Sequence, residues 1–213
     1  MRQRNIKHLD EKIAAVSEYL LDNPEEYRGS WRKTYGYSGS LELEIGCGKG
    51  QFIVKKAAEH PDNMYLAVEG QLNVLLRGLQ KSKAGELKNI MFFCKYVEDL
   101  NDLFEKGELD KIYLNFSDPW PKDRHYKRRL TYRERLESYF DVLKEGGEIE
   151  FKTDNDGLFE FSMEEIRAMD YEILEYTEDL HNSDYESKNT TTEYEDKFSG
   201  LGKNINYVKF RRK

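Results

Sequence analysis

Apolar residues in this chain follow two alternating patterns. Short runs of β-type residues occur at Leu41 to Ile45, Met64 to Val68, Ile90 to Cys94, Ile112 to Phe116 and Glu148 to Phe151. Between them lie stretches able to form helices: Phe52 to Glu59, Gln71 to Ala84, Glu98 to Glu105 and Tyr132 to Leu143. Strands that alternate with helices predict a parallel sheet covered on both faces, an open α/β fold. Two further strands are expected near Tyr171 to Tyr176 and Ile205 to Phe210. The polar stretch between them, His181 to Lys203, has no clear apolar period, and a segment of that length is usually functional or disordered. Ahead of the first strand, Ile13, Val16 and Leu20 recur at helical spacing and Asn23-Pro24 supplies a stop, so a helix is expected there.

With 213 residues the chain fits one domain, 1–213, carrying an N-terminal helical extension over about 1–36. No apolar run approaches the roughly 20 residues needed to span a bilayer, and the basic start lacks the apolar core of a secretory signal. Cys47 and Cys94 form no C-x-x-C pair, which suits reduced thiols. The cytoplasm is the expected location and no membrane partner is expected. The net charge of -7 argues against a nucleic-acid partner until its distribution is considered. Lys122 to Arg135 carries +5, whereas Asp154 to Asp196 carries -13. With a basic start (Arg2, Arg4, Lys7) and a basic end (Lys209, Arg211, Arg212, Lys213), the central cluster can build an electropositive footprint on an acidic protein.

The first strand runs into Gly46-Cys47-Gly48-Lys49-Gly50, a glycine turn placed before a helix. Ligands of open α/β sheets bind outside the carboxyl ends of the strands, so this is a cofactor position. A dinucleotide fingerprint needs glycine where Gln51 stands, and a phosphate-binding P-loop needs Ser or Thr after its lysine. Both fail. The remaining pattern, Glu44-x-Gly46-x-Gly48-x-Gly50, is similar to the first motif of S-adenosylmethionine (SAM) dependent methyltransferases. Glu69 ends the second strand, where a carboxylate can accept the hydroxyls of a ribose. His8, His60, His125 and His181 have no metal-ligand spacing, so no metal is expected.

The most specific text is Asn115-Phe116-Ser117-Asp118-Pro119-Trp120-Pro121-Lys122, directly after apolar Ile112 to Leu114. Each proline fixes its own φ and restricts the residue before it, so Asp118 and Trp120 are held in a stiff turn at the ligand edge of the sheet. Together with the glycine motif, the basic His125 to Leu130 run, Phe151-Lys152-Thr153-Asp154-Asn155, and Thr192-Glu193-Tyr194-Glu195 ahead of Lys197-Phe198, the chain resembles the tRNA (guanine-N7)-methyltransferases of the bacterial TrmB type.

That resemblance covers essentially the whole chain. It implies a class I SAM-dependent methyltransferase fold, Rossmann-like, with a seven-stranded mostly parallel sheet, and methyl transfer from SAM to N7 of a variable-loop guanine in tRNA. It implies cofactor contacts from Glu44, Gly46, Gly48, Gly50, Glu69, residue 96 and Asp118, with Asp118 also catalytic. It places Lys122, Asp154, Thr192, Glu193, Tyr194 and Glu195 at the substrate, and Arg124, His125, Tyr126, Lys127, Arg128 and Arg129 on the RNA. Where the family usually offers an acid or amide near the adenine, this chain has Tyr96, with Glu98 and Asp99 close by as substitutes. Two alternatives stay open on sequence: methylation of an exocyclic nucleobase amine, and a non-catalytic tRNA-binding module. Monomer and homodimer are both open.

Overall fold

The computed structural model describes residues 6–199 and 203–213. Arg2 and Arg4 of the basic start lie outside the described residues. The sheet contains β1 (Leu41–Ile45), β2 (Met64–Glu69), β3 (Ile90–Cys94), β4 (Leu109–Asn115), β5 (Leu143–Thr153), β6 (Glu172–Thr177) and β7 (Asn206–Arg211). Their spatial order is β3-β2-β1-β4-β5-β7-β6. β1 to β5 pair in parallel, while β7 runs antiparallel to both β5 and β6. The chain winds outward from β1 to β3 on one side, then returns to the centre and winds the other way from β4. The reversal falls between β1 and β4, the place where an open sheet leaves a crevice.

Parallel strands require crossovers, and the helices that supply them bury β1 on both faces, so all five of its residues are buried. One face packs against α3 (Gln51–Glu59) and α4 (Leu72–Ala84) through Ile53, Ala57, Leu75 and Leu79. Cys47 joins this layer as a small packing residue. The other face packs against α5 (Arg133–Val142) and α6 (Asp156–Ala168) through Leu136, Val142, Leu158 and Ile166.

Three segments differ from the sequence expectation. The first helix stops early: α1 covers Leu9–Ala14, and after one 3-10 turn the chain bridges the sheet, with Leu21 donating its amide to the Phe92 carbonyl at 2.8 Å. β3 is an edge strand, and pairing there covers backbone groups that a continuing helix would leave exposed. The expected helix over Glu98 to Glu105 is a single 3-10 turn, Leu100–Asp102. Asp99 takes the Asn101 amide at 2.9 Å and the Ser138 hydroxyl takes the Leu100 amide at 3.0 Å, which fixes the turn against α5. Within the polar stretch after β6, residues 180–199 carry two 3-10 turns and α7 (Glu193–Ser199).

Within the N-terminal segment, α2 (Trp31–Tyr35) places Trp31 fully inside the protein. Its ring stacks on Tyr27, Tyr35 and Phe104 at 5.1, 6.0 and 5.6 Å, and its indole N–H donates to the Leu103 carbonyl at 3.3 Å. Trp31 is therefore a core residue and not a surface for bases. Trp31→Ala is expected to cost about 3–5 kcal/mol in urea unfolding, the range for truncating a buried aromatic.

Candidate functional site

Two loops leave the sheet at the reversal. After β1 the backbone passes Gly46, Gly48 and Gly50 at φ +75°, +57° and +72°, a region costly for side chains. The Gly46 and Cys47 amides donate to the Val68 carbonyl at 2.8 and 3.0 Å, which ties the turn to β2. After β4 two non-glycine residues, Phe116 and Trp120, adopt φ +51° and +41°. Such positions cost roughly 1–3 kcal/mol each and persist where the surroundings over-determine them. Here the Phe116 amide donates to the Lys152 carbonyl at 2.9 Å, and Arg129 donates to the carbonyls of Pro119 and Trp120 at 3.1 and 3.3 Å. The result presents an exposed Asp118 beside the glycine turn.

Between the loops opens a cleft of about 680 Å³, whose walls include Gly46, Gly48, Glu69, Tyr96, Asp118 and Arg128. A smaller cleft of about 160 Å³ shares Gly46, Gly48 and Phe116 with it and adds Glu44, Asn115, Thr192, Glu193 and Tyr194. A Cβ on Gly46 or Gly48 would meet no atom, so both face open space. Gly50, expected at the cofactor, lines neither cleft. A Cβ there would lie 2.9 Å from Gly78 Cα and 3.2 Å from the Phe92 ring, so its geometry serves the approach of α3 to α4.

Glu69 ends β2 with its carboxylate accepting the Gly48 amide at 3.2 Å and the Gln71 amide at 3.1 Å. Burial pushes its carboxyl up, the amides of Gln71, Gly48 and Gly70 oppose that, and the charge of Asp118 adds to it. Tyr96 is 75% exposed at the rim and its ring lies against Gly70, where a Cβ would overlap it at 2.2 Å. Glu98 faces the main cleft, whereas Asp99 is turned away to Ser138 and Asn101. The Glu44 carboxyl is buried, and that burial pushes it up to about 8 against the Asn115 hydrogen bond, the charge of Lys152 and the Ile53 amide.

Residues 189–196 form a strap beside the glycine turn. Thr192 and Glu195 make a reciprocal capping box at the start of α7: the Thr192 hydroxyl accepts the Glu195 amide at 3.0 Å and Glu195 accepts the Thr192 amide at 3.4 Å. Glu195 is fully buried, and its carboxylate also takes Lys152 at 3.0 Å and Asn189 at 2.6 Å. Glu195, expected at the substrate, has its oxygens turned inward, where they hold the strap. Lys152 further donates to Asn189 and to the Thr190 carbonyl, both at 2.9 Å. On the opposite side Glu193 pairs with Lys81, and Gln51 donates to Asp196 at 2.6 Å. Tyr194 lines the smaller cleft, with its hydroxyl on Asp154 at 3.1 Å and its ring 4.9 Å from Phe116. Asp154 also takes Lys203.

The basic run splits in two. Lys122, Arg124, Tyr126 and Lys127 are exposed, and Lys127 lies 3.8 Å from Glu134. His125 packs edge-on to Trp120 at 5.7 Å, Arg128 lies over the same indole at 4.9 Å, and Arg129 braces the turn. Asn115, Ser117, Trp120 and Lys152 join the site without having been expected as contact residues, whereas Arg128, expected on the RNA, also lines the main cleft. The sequence signal for Lys152 was a lysine at the end of an apolar strand, and for Asn115 a polar residue closing one.

Residues 38–208 match a family described as a putative methyltransferase. A tRNA (guanine-N(7)-)-methyltransferase of Geobacillus sp. (strain WCH70) is 46% identical over 96% of this chain and 93% of its own. One from Lachnoclostridium phytofermentans is 44% identical over the full length of both. The chain belongs to the tRNA (guanine-N7)-methyltransferase family. An antibiotic-related methyltransferase shares the fold with a TM-score of 0.61, 18% identity and coverage of 85% of this chain and 92% of its own. The class I methyltransferase fold of the family makes SAM the methyl donor, and the cleft fits it. Gly46 and Gly48 leave room for close approach, Glu69 stands where ribose hydroxyls need an acceptor, and Glu44 Oε2 is buried without a partner among the described residues.

The folded protein keeps the Glu44 proton to about pH 8, whereas the unfolded chain loses it near its ordinary 4.5, so stability falls as pH rises across that window. Glu44→Gln is therefore expected to raise the melting temperature of the ligand-free protein by a margin that widens between these two pH values and is constant above. Melting curves at several pH values check this.

Proposed function

We propose that this protein transfers the methyl group of SAM to N7 of a variable-loop guanine in tRNA, in the cytoplasm. The observation that carries the reading is the meeting of Asp118, Glu69 and the open glycine turn in one cleft, beside exposed cations at Lys122, Arg124 and Lys127. The full-length relatives supply the substrate class.

When bound, SAM supplies an electrophilic methyl group on a sulfonium. Guanine N7 carries a lone pair and no proton, so its attack requires no general base, and positioning accounts for much of the rate. Gly46, Gly48 and Glu69 would hold the donor, and Tyr96 would border its adenine. Asp118 would accept from the N1 and N2 hydrogens of guanine and offset the positive charge the ring gains. Tyr194 and Phe116 offer faces for an unstacked base, and Asp154 fixes the Tyr194 hydroxyl. Lys152 and Glu195 act indirectly by fixing the strap. Arg124 and Lys127 meet phosphate, Arg128 supports Trp120, and Arg129 keeps the Asp118 turn in place.

Incubation with methyl-labelled SAM and unmodified tRNA transcript, followed by nucleoside mass spectrometry, should yield 7-methylguanosine from the variable loop. Substitution by 7-deazaguanosine there should abolish it, and label on any other atom would overturn the assignment. Asp118→Asn should lower kcat at least tenfold with tRNA affinity nearly unchanged; equal losses in both would reject the role given to Asp118. Arg124→Gln with Lys127→Gln should weaken tRNA binding and reduce the salt slope by about 2, one per phosphate contact.

A further inference from the structure

Outside both clefts, His181 carries a buried Nε2 with no hydrogen-bond partner among the described residues. It follows Leu180, which is buried in a small cluster with Ile205 and Tyr207 and donates its amide to the Ile205 carbonyl at 2.9 Å. That anchor sets the imidazole between two carboxylates. Nδ1 lies 3.1 Å from Glu186 Oε2, and Nε2 lies 3.6 Å from Glu195 Oε1, too long for a hydrogen bond but within reach of an ion pair. Asn189 spans the same two carboxylates, donating from Nδ2 to Glu195 Oε1 at 2.6 Å and to Glu186 Oε2 at 3.4 Å.

A neutral imidazole has one N–H and one bare lone pair. Whichever nitrogen keeps the proton, the other aims its lone pair at a carboxylate oxygen. The imidazolium presents an N–H on both sides and removes the conflict. Charge balance favours the same form. The other cation paired with these two carboxylates, among the described residues, is the Lys152 ammonium of β5, 3.0 Å from Glu195. With His181 protonated, two cations meet two carboxylates, which lowers the cost of keeping the fully buried Glu195 ionised.

We infer that His181 is a positioning residue for the tRNA substrate, an imidazolium that clips the strap of residues 189–196 through Glu195 and Glu186. The inference rests on the methyl-transfer reading above and goes beyond it to a residue and its charge state. Glu195 is joined to Thr192 in the capping box, and Tyr194 between them lines the smaller cleft. His181 thus holds the strap from the 3-10 turn Leu180–Asn182 while Lys152 holds it from the sheet, and neither touches the substrate. Loss of the imidazolium proton leaves a lone pair against one carboxylate, so the clip weakens as pH rises.

Two measurements test this. Nitrogen-15 spectra of the histidine rings in wild type, with His181→Gln identifying the resonance that disappears, should show both His181 nitrogens protonated at about pH 7, where an unpaired histidine is mostly neutral. A neutral ring there would overturn the inference. In the methylation assay at about pH 7, His181→Gln should raise KM for tRNA about fivefold, the order of one partly buried ion pair, with kcat and S-adenosylhomocysteine affinity nearly unchanged. The ratio of variant to wild-type KM should then fall toward one by about pH 9, since wild type has lost its clip as well. Taking the ratio removes the titrations the two proteins share. A KM equal to wild type at about pH 7, or a ratio constant with pH, would leave His181 a packing role and overturn the inference. If His181→Gln fails to fold, Glu186→Gln alters the clip from its half-exposed side and should show the same ratio. Failure of wild type to methylate tRNA would instead reject the methyl-transfer reading, and the positioning role with it, even where the ring is an imidazolium.

Discussion

The reversal of winding between β1 and β4 is the constraint on which the site depends. Right-handed crossovers on both faces leave each parallel strand with a loop at its carboxyl end, and neighbouring loops normally lean the same way. Between β1 and β4 they diverge, and the crevice receives Gly46 to Gly48 from one side and Asn115 to Asp118 from the other. The two loops hold positive backbone angles there, at Gly46 and Gly48 on one and at Phe116 and Trp120 on the other.

Those angles survive because buried polar contacts brace them. Arg129 holds the Pro119 and Trp120 carbonyls, and the Lys152 carbonyl holds the Phe116 amide. The Lys152 ammonium and Glu195 are both buried, a pairing that gains little net stability over apolar packing but is costly to break on one side. Its effect is positional: one strand end is joined to the strap that presents Tyr194. Much of the acidic block from Asp154 to Asp196 is likewise used internally, with Glu165 on Arg133, Glu175 on Lys209 and Asp196 on Gln51.

Period and punctuation made the sheet legible. Leu41 to Ile45 and Ile90 to Cys94 are strands over the residues their β-type runs mark, and the two glutamates that β1 buries, Glu42 and Glu44, accept hydrogen bonds from Tyr113 and Asn115 on β4. The glycine turn and the two prolines after Asp118 were visible because they restrict the backbone locally. Segments decided by distant partners were not legible: the chain after α1 leaves its helix for the edge of β3, and Asp99 ends a helix before it begins.

By itself, the sequence determined the fold class, the family, and the loops that face the ligand, since each depends on neighbours a few residues apart. Only the tertiary structure decided what each motif residue contacts. Thr192 and Glu195, expected at the substrate, are joined in a capping box, Gly50, expected at the cofactor, sits in the contact between α3 and α4, and Arg129 braces a turn. Asn115 and Glu44 lie 71 positions apart, and they meet only because β1 and β4 are neighbours in the sheet. Burial and hydrogen-bond satisfaction are properties of the packed chain, and local pattern carries no record of them.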